Sequence, residues 1–108
     1  MVRNMIIVTT DTVAGKDIKE TLGIVKGTIV QSKHVGKDIM AGLNTLVGGE
    51  IKSYTEMLNE ARFEAQKRMV NEATELGADA IVGVRFGSSA VMQGAAEMIA
   101  YGTAVKLK

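Results

Sequence analysis

Hydrophobic residues alternate with other residues near both ends of the chain and recur every three or four residues in its middle. Alternation predicts strands, because successive side chains of a strand point to opposite faces of a sheet. The predicted strands are 5–10, 18–31, 79–87 and 97–107. Residues 88–94 are predicted to form a loop, and Gly27 is predicted to mark a bulge in the long second strand.

The three-to-four-residue repeat predicts two helices between the two pairs of strands. The first covers residues 36–47 and ends at Gly48-Gly49, since glycine tolerates the left-handed conformation of a helix cap. The second begins at Ser53, where Ser53-Tyr54-Thr55-Glu56 matches a capping box, and ends before Gly77. Its apolar stripe is rich in small residues: Leu58, Ala61, Ala65, Met69, Ala73 and Leu76. Such a helix can lie close against a sheet.

The element order β-β-α-α-β-β indicates the α+β class, with an antiparallel sheet packed on one long helix. A chain of 108 residues suits a single domain over residues 1–108. Several strands carry apolar residues on both faces; Ile24 is followed by Val25, and Ile81 by Val82. One long and one short helix cannot cover both faces of four strands. The pattern therefore predicts a homo-oligomer in which other copies cover the remainder.

Glycines are paired four residues apart on two predicted strands, Gly23 with Gly27 and Gly83 with Gly87. A strand face without side chains permits either curvature of the sheet over the helix or close approach of a neighbouring subunit. Both interpretations stay open at this point. The glycines do not form a phosphate-binding loop, because neither Gly-Lys pair has the earlier glycine or the following hydroxyl residue that such a loop requires.

Charge and composition narrow the classes of partner. The chain has 13 basic and 12 acidic residues, a net charge of +1, and only four aromatic residues. Nucleic-acid binders combine a basic patch with stacking aromatics, so we expect no nucleic-acid partner. The N-terminal apolar run is too short for a signal peptide or a membrane span, so no membrane partner is expected. The absence of cysteine excludes disulfides and thiolate metal sites, and favours a cytoplasmic location.

Three glutamates form the most distinct candidate site. Glu56, Glu60 and Glu64 are spaced by four residues and share one face of the long helix, where their oxygens could hold a hard divalent cation or serve in acid–base chemistry. The alternative is a solvated, salt-bridged stripe, since Glu64 is spaced to pair with Lys67 and Arg68. No serine, histidine and acid pattern typical of a catalytic triad is present.

His34, Glu50 and Arg62 are further candidates. His34 is the only histidine, so a site with two histidines would need one from each of several subunits; the alternative is a solvated loop residue beside Lys33. Glu50 follows Gly48-Gly49 and is a single carboxylate. The planar fork of Arg62 suits an anion, and the alternative is a pair with a carboxylate.

Four segments, taken in order, resemble the YbjQ-like family. They are Gly23-Ile24-Val25-Lys26-Gly27, Gly48-Gly49-Glu50, Ser53-Tyr54-Thr55-Glu56 and Gly77-Ala78-Asp79-Ala80-Ile81-Val82-Gly83-Val84. This resemblance implies an α+β subunit related to dodecin-like folds, assembled into a ring, most simply a homopentamer, with no established enzymatic activity. The family is described as heavy-metal-binding. With no cysteine and one histidine, a soft metal would require a ring of ligands from several subunits.

Three functional hypotheses follow. The first is a non-enzymatic ring that binds a divalent metal ion or a small ligand at subunit interfaces. The second is a scaffold that presents its surface to protein partners and holds no ligand. The third is an enzyme whose active sites are shared between subunits, for which the sequence shows no nucleophile or acid–base pair.

Overall fold

A computed structural model describes residues 4–32 and 49–108 of the chain, with side chains described from Tyr54 onward in the helix. Within these residues lie four strands and one helix. They are β1 (Ile6–Ile7), β2 (Ile18–Ser32), α1 (Gly49–Glu75), β3 (Ala80–Met92) and β4 (Ala95–Leu107). The predicted helix over residues 36–47 and the candidate His34 lie outside the described residues.

The four strands form one mixed sheet in the order β1-β3-β4-β2. β4 lies antiparallel to both β2 and β3, whereas β1 runs parallel to β3, with Ile6 beside Ala80. The prediction of a fully antiparallel sheet is therefore wrong at β1. The reason is topological: β1 and β2 are consecutive in the chain but lie at opposite edges of the sheet, so they do not form a hairpin.

β3 continues through the stretch that was expected to be a loop. Ser88 pairs with Met98 and Ala90 with Ala96, and the strand ends only at Met92. The turn is confined to Gln93 and Gly94, and Gly94 adopts a φ of 79°. Small polar residues have weak strand propensity, but cross-strand pairing with β4 determines the conformation here.

Gly27 is not at a bulge. The register shifts of β2 lie between Ile18 and Glu20 and between Thr21 and Gly23, while Gly27 pairs regularly with Ala100. Its role is contact with the helix: a Cβ at Gly27 would lie 2.6 Å from the Met69 nitrogen and would overlap the carbonyl oxygen of Ala65. The absent side chain therefore permits close approach of α1 to the sheet.

The helix includes Gly49 and extends through Ser53, so the prediction that it begins with a cap at Ser53 is wrong. Serine followed three residues later by glutamate also occurs within helices, and the spacing alone does not mark a start. The end is confirmed: α1 finishes at Glu75, and Gly77 has a φ of 81°.

The main core lies between α1 and the sheet. The helix contributes a buried residue every fourth position: Met57, Ala61, Ala65, Met69 and Ala73. The sheet contributes Val25, Ile81, Val84, Met98, Ala100 and Ala104. Alanines on both sides bring the helix backbone close to β2 and β4, as the sequence predicts. Leu76, the last residue of the predicted stripe, is exposed.

A second apolar cluster covers one end of the opposite sheet face. Ala80, Val82 and Val105 are buried there beneath the segment that joins β1 to β2. Arg85 fixes this segment, because its guanidinium donates hydrogen bonds to the carbonyl oxygens of Thr9 and Val84 at 2.9 Å and 2.8 Å. Among residues 4–32 and 49–108, no helix combines the length and apolar character needed to cross a bilayer.

Candidate functional site

A groove of about 600 Å³ lies between α1 and the outer edge of β2. Two residues of β2 and five residues of one helix face line it: Ile29, Gln31, Asn59, Glu60, Phe63, Glu64 and Arg68. The helical spacing of 59/60, 63/64 and 68 directs these side chains toward the strand edge. The groove therefore follows directly from the placement of α1 against β2.

Side chains of the helix cap the middle of the β2 edge. The Lys26 amide donates a 3.1 Å hydrogen bond to Glu72 Oε1, and the Arg68 guanidinium donates a 2.8 Å hydrogen bond to the Thr28 carbonyl oxygen. Arg68 Nε also lies 3.7 Å from Glu64 Oε1. These contacts occupy backbone groups that an edge strand otherwise presents to solvent, and they close one end of the groove.

The groove combines an apolar surface with an available carboxylate. Phe63 is 69% exposed, an unusual position for a phenyl ring. Glu60 Oε2 accepts a hydrogen bond from Gln31 Nε2 at 3.3 Å, and no other residue of the described ranges bonds to this carboxylate. Because Arg68 is paired with Glu64, the remaining charge of the groove is the negative charge of Glu60. Such a surface suits a ligand with an apolar part and a positively charged group.

The structure separates the three predicted glutamates. Glu60 and Glu64 line the groove, whereas Glu56 is exposed and does not. Glu64 pairs with Arg68, as the salt-bridge alternative predicted. In the part of the chain that the structure describes, no three His, Cys, Asp or Glu residues come together as metal ligands.

The other candidates do not enter the groove through any described contact. The Arg62 guanidinium donates a 2.7 Å hydrogen bond to Asn59 Oδ1, an amide oxygen rather than the predicted carboxylate. Glu50 belongs to α1, and its side chain lies outside the described part of the chain, as does His34. Arg62 therefore contacts a lining residue, Asn59, but is not itself one of the residues that line the groove.

Sequence reasoning missed four of the lining residues, namely Ile29, Gln31, Asn59 and Phe63. The sequence did contain one signal for Phe63. It is one of only two phenylalanines and stands three residues after Glu60, outside the apolar stripe of the helix. Gln31 and Asn59 come together only through the docking of α1 on β2, which no local pattern indicates.

A second surface lies on the sheet face away from the helix. Ile24, Val30, Ile99 and Tyr101 share this face, because they occupy matching positions in the β2–β4 register. Ile24 is 78% exposed, Val30 59% and Tyr101 43%. We call these four residues the open face. Lys26, Thr28, Glu97 and Thr103 lie on the same face among them. A concentration of exposed apolar residues on one sheet face is typical of an interaction surface.

A family model with the description "Putative heavy-metal-binding" matches residues 5–108. The chain belongs to the YbjQ family. This confirms the resemblance that the ordered motifs indicated. Relatives of this YbjQ chain include a UPF0145 protein of Fervidobacterium nodosum, 68% identical over 104 residues, which are 96% of each chain. UPF0145 proteins of Clostridium novyi and Methanosarcina acetivorans are 61% and 60% identical, over 95% of this chain and 99% and 97% of theirs.

A solved structure shares the YbjQ fold at lower sequence identity. It is the crystal structure of a protein of unknown function from Pediococcus pentosaceus, of the DUF74 family, which is 19% identical. The TM-score is 0.61, over 96% of this chain and 98% of that one. The α+β architecture is thus confirmed by a similar fold in a solved protein.

The donor set of this YbjQ chain does not fit the metal in the family description. Soft heavy metals prefer thiolate, thioether or imidazole ligands. The chain has no cysteine and one histidine, and within residues 4–32 and 49–108 no three His, Cys, Asp or Glu side chains come together. Of the two carboxylates that line the groove, Glu60 accepts a hydrogen bond from Gln31 and Glu64 pairs with Arg68.

Proposed function

We propose that this YbjQ-family chain is a non-enzymatic subunit of a cytoplasmic, ring-shaped homo-oligomer that binds a small ligand where subunits meet. The observation that carries the proposal is the open face, which leaves Ile24, Val30 and Tyr101 in solvent on a single subunit. The family resemblance favours five subunits. The absence of cysteine suits the reducing cytoplasm.

The open face supports oligomerisation because of its position as well as its composition. The joining segment covers one end of this sheet face, and the four open-face residues lie beyond it on the same face. Exposure of isoleucine and valine side chains to water is unfavourable, and contact with another copy buries these side chains. A subunit with such a face gains stability by association.

The groove supports an organic ligand in preference to a metal ion. Phe63 and Ile29 provide apolar contact, and the carboxylate of Glu60 provides an acceptor for a positively charged group. A divalent cation would require several oxygens at one point, whereas Glu64 is paired with Arg68 and Glu56 lies outside the lining. The proposed ligand class is a small molecule with an apolar body and an ammonium or similar cationic group.

Substitution of Ile24 by lysine is expected to dissociate the oligomer. The new charge would lie at the most exposed apolar position of the open face, where burial of an unpaired ammonium is strongly unfavourable. Size-exclusion chromatography with light scattering should give several subunits for the wild type and one for I24K. N71K adds the same charge on an exposed helix position and should leave the mass unchanged. A monomeric wild-type protein would contradict the oligomer.

The ligand is tested by native mass spectrometry of the protein purified from cells. We expect the wild type to carry a small organic adduct and F63A to lose it, because the Phe63 ring lines the groove and provides its aromatic contact. F86A removes a partly exposed ring that does not line the groove and should keep the adduct. Elemental analysis after dialysis against zinc or copper chloride should give far less than one metal per chain. Stoichiometric metal without an organic adduct would contradict this assignment.

A further inference from the structure

Three polar side chains lie next to one another on the sheet face away from the helix. Lys26 of β2 and Arg85 of β3 both pair with Tyr101 of β4, so the three residues occupy one level of the sheet and share this face. Directly opposite residues of neighbouring strands have Cβ atoms about 5 Å apart. We call Lys26, Tyr101 and Arg85 the cation row. An ammonium, a phenol hydroxyl and a guanidinium can therefore reach one small group held above the sheet.

A bulge in β3 brings Arg85 to this position. Between Val82 and Arg85, β3 has one residue more than the paired stretch of β4. Without the extra residue, alternation would place Val84 beside Tyr101 and would turn Arg85 toward the helix. Instead Gly83 adopts a φ of 62°, Val84 is buried in the main core and Arg85 is exposed. Bulges re-aim side chains in this way next to functional sites.

The guanidinium of Arg85 is held in place before any ligand arrives. Its Nη1 atom donates hydrogen bonds to the carbonyl oxygens of Thr9 and Val84, and both acceptors belong to backbone. Among the residues that the structure describes, none bonds to Nη2 or Nε of this side chain. A positioned guanidinium loses less conformational entropy when it binds a ligand than a mobile one does.

The positive charge of the row is not neutralised by a neighbour. Within residues 4–32 and 49–108, no carboxylate lies within ion-pair distance of Lys26 or Arg85, and no group bonds to the Tyr101 hydroxyl. Glu97 shares the face but is four residues from Tyr101 along β4, which is about 13 Å. Exposed charges at that distance are largely screened at physiological salt. The row therefore presents two positive charges and a hydroxyl donor to solvent.

We propose that the cation row binds the phosphate group of a small phosphate monoester. A phosphate monoester carries between about 1.5 and 2 negative charges at neutral pH and three acceptor oxygens. Two cations match this charge, and three separate donors match the oxygens. Arginine is well suited to such a group because its planar fork donates two parallel hydrogen bonds. This site lies on the other side of the sheet from the groove and takes a ligand of the opposite charge.

The residues beside the row favour an apolar group on the ester. Ile24 follows Lys26 along the same face of β2, and Ile99 follows Tyr101 along β4. All members of the row belong to one subunit, so the site does not require the oligomer proposed above. It is compatible with that oligomer, since contact of the open face with another copy would bury two cations, which is unfavourable without a counter-charge. A bound phosphate supplies that charge.

Titration of the full-length, 15N-labelled protein with phenyl phosphate tests the site. We expect saturable shifts of the backbone amide signals of Lys26, Arg85 and Tyr101, with no comparable shifts at Glu60 and Phe63 in the groove. Benzoate carries the same ring but has one charge and two oxygens, so it should bind several-fold more weakly. Equal affinities for benzoate and phenyl phosphate would overturn the assignment of a phosphate group.

Two variants remove one donor each from the row. K26Q and Y101F should each weaken phenyl phosphate binding about tenfold, as expected for loss of a hydrogen bond to a charged group. Both side chains are exposed, so neither change disturbs the core. K67Q removes the same charge as K26Q from an exposed position on the helix and should bind like the wild type. R85K keeps the charge but loses the fork, and should also weaken binding.

Each result decides the proposal. Absence of saturable shifts at the row, shifts confined to the groove, or unchanged binding by both K26Q and Y101F would overturn it. A loss in K67Q as large as that in K26Q would also overturn it, since net charge alone would then determine the affinity. If R85K does not fold, because Arg85 also holds the segment that joins β1 to β2, K26Q and Y101F carry the test. A monomer that binds phenyl phosphate at the row would contradict the oligomer and support this site.

Discussion

Replacement of Gly27 by alanine is expected to lower the free energy of unfolding by about 3 kcal/mol, as an overpacked site in a tight interface does. A Cβ at this position would lie 2.6 Å from the Met69 nitrogen and 2.8 Å from the Arg68 Cβ, and would overlap the Ala65 carbonyl oxygen. These are backbone or near-backbone atoms, so no rotamer change relieves the overlap and the helix must move away from β2. Urea unfolding at a fixed protein concentration measures the loss.

Gly87→Ala is the matched control. Gly87 also lies in a strand, and a Cβ there would lie 3.2 Å from Ile99 Cγ2, the end of a side chain that can adjust. Its free energy of unfolding should change by less than about 1 kcal/mol. Equal losses at Gly27 and Gly87 would show that glycine in a strand, rather than contact with the helix, determines the effect.

Substitution of Met69 by alanine is expected to destabilise the protein by about 3 kcal/mol, through lost burial and the cavity that remains. Met69 is one of the largest fully buried side chains among the described residues and belongs to the helix–sheet core. The alanines around it cannot extend into the space, so the site collapses poorly. Thermal and urea unfolding should both shift.

Met92→Ala controls for the removal of a methionine as such. Met92 lies at the end of β3 and is 66% exposed, so its truncation removes little buried surface. We expect a change within about 0.5 kcal/mol. A loss as large as that of M69A would mean that Met92 is buried in the assembly, and this would enlarge the proposed subunit interface.

Hydrophobic periodicity correctly predicted the strands and the helix that bury one face in the core. The alternation over β2 and β4 and the small-residue stripe of α1 each place one face in the core, and the structure confirms them. The end of the helix before Gly77 was also predicted correctly, because it depends on the backbone conformation of the glycine itself. The predicted loop at Ser88 and Ser89 failed, since pairing with a distant strand outweighed local propensity.

The sheet order and the groove were not predictable from one sequence. Two apolar residues at Ile6 and Ile7 are compatible with pairing to any strand, and only the packed sheet places them parallel to β3. Gln31 and Glu60 are 29 residues apart, and their hydrogen bond depends on where α1 crosses β2. The sequence spacing identified Glu64 as a candidate ligand, but Glu64 pairs with Arg68, which lies one turn further along the helix.

The side chains that α1 places on the edge of β2 also bear on how this protein avoids fibrous aggregation. β2 is a 15-residue strand whose segment Ile24-Val25-Lys26-Gly27-Thr28-Ile29-Val30 is rich in β-branched residues, and such segments form cross-β stacks when their edges are free. Glu72 and Arg68 occupy this edge at Lys26 and Thr28. Detachment of the helix therefore removes both the core contact and the protection of the strand, so loss of α1 docking leads toward insoluble stacking of β2 rather than toward a soluble unfolded chain.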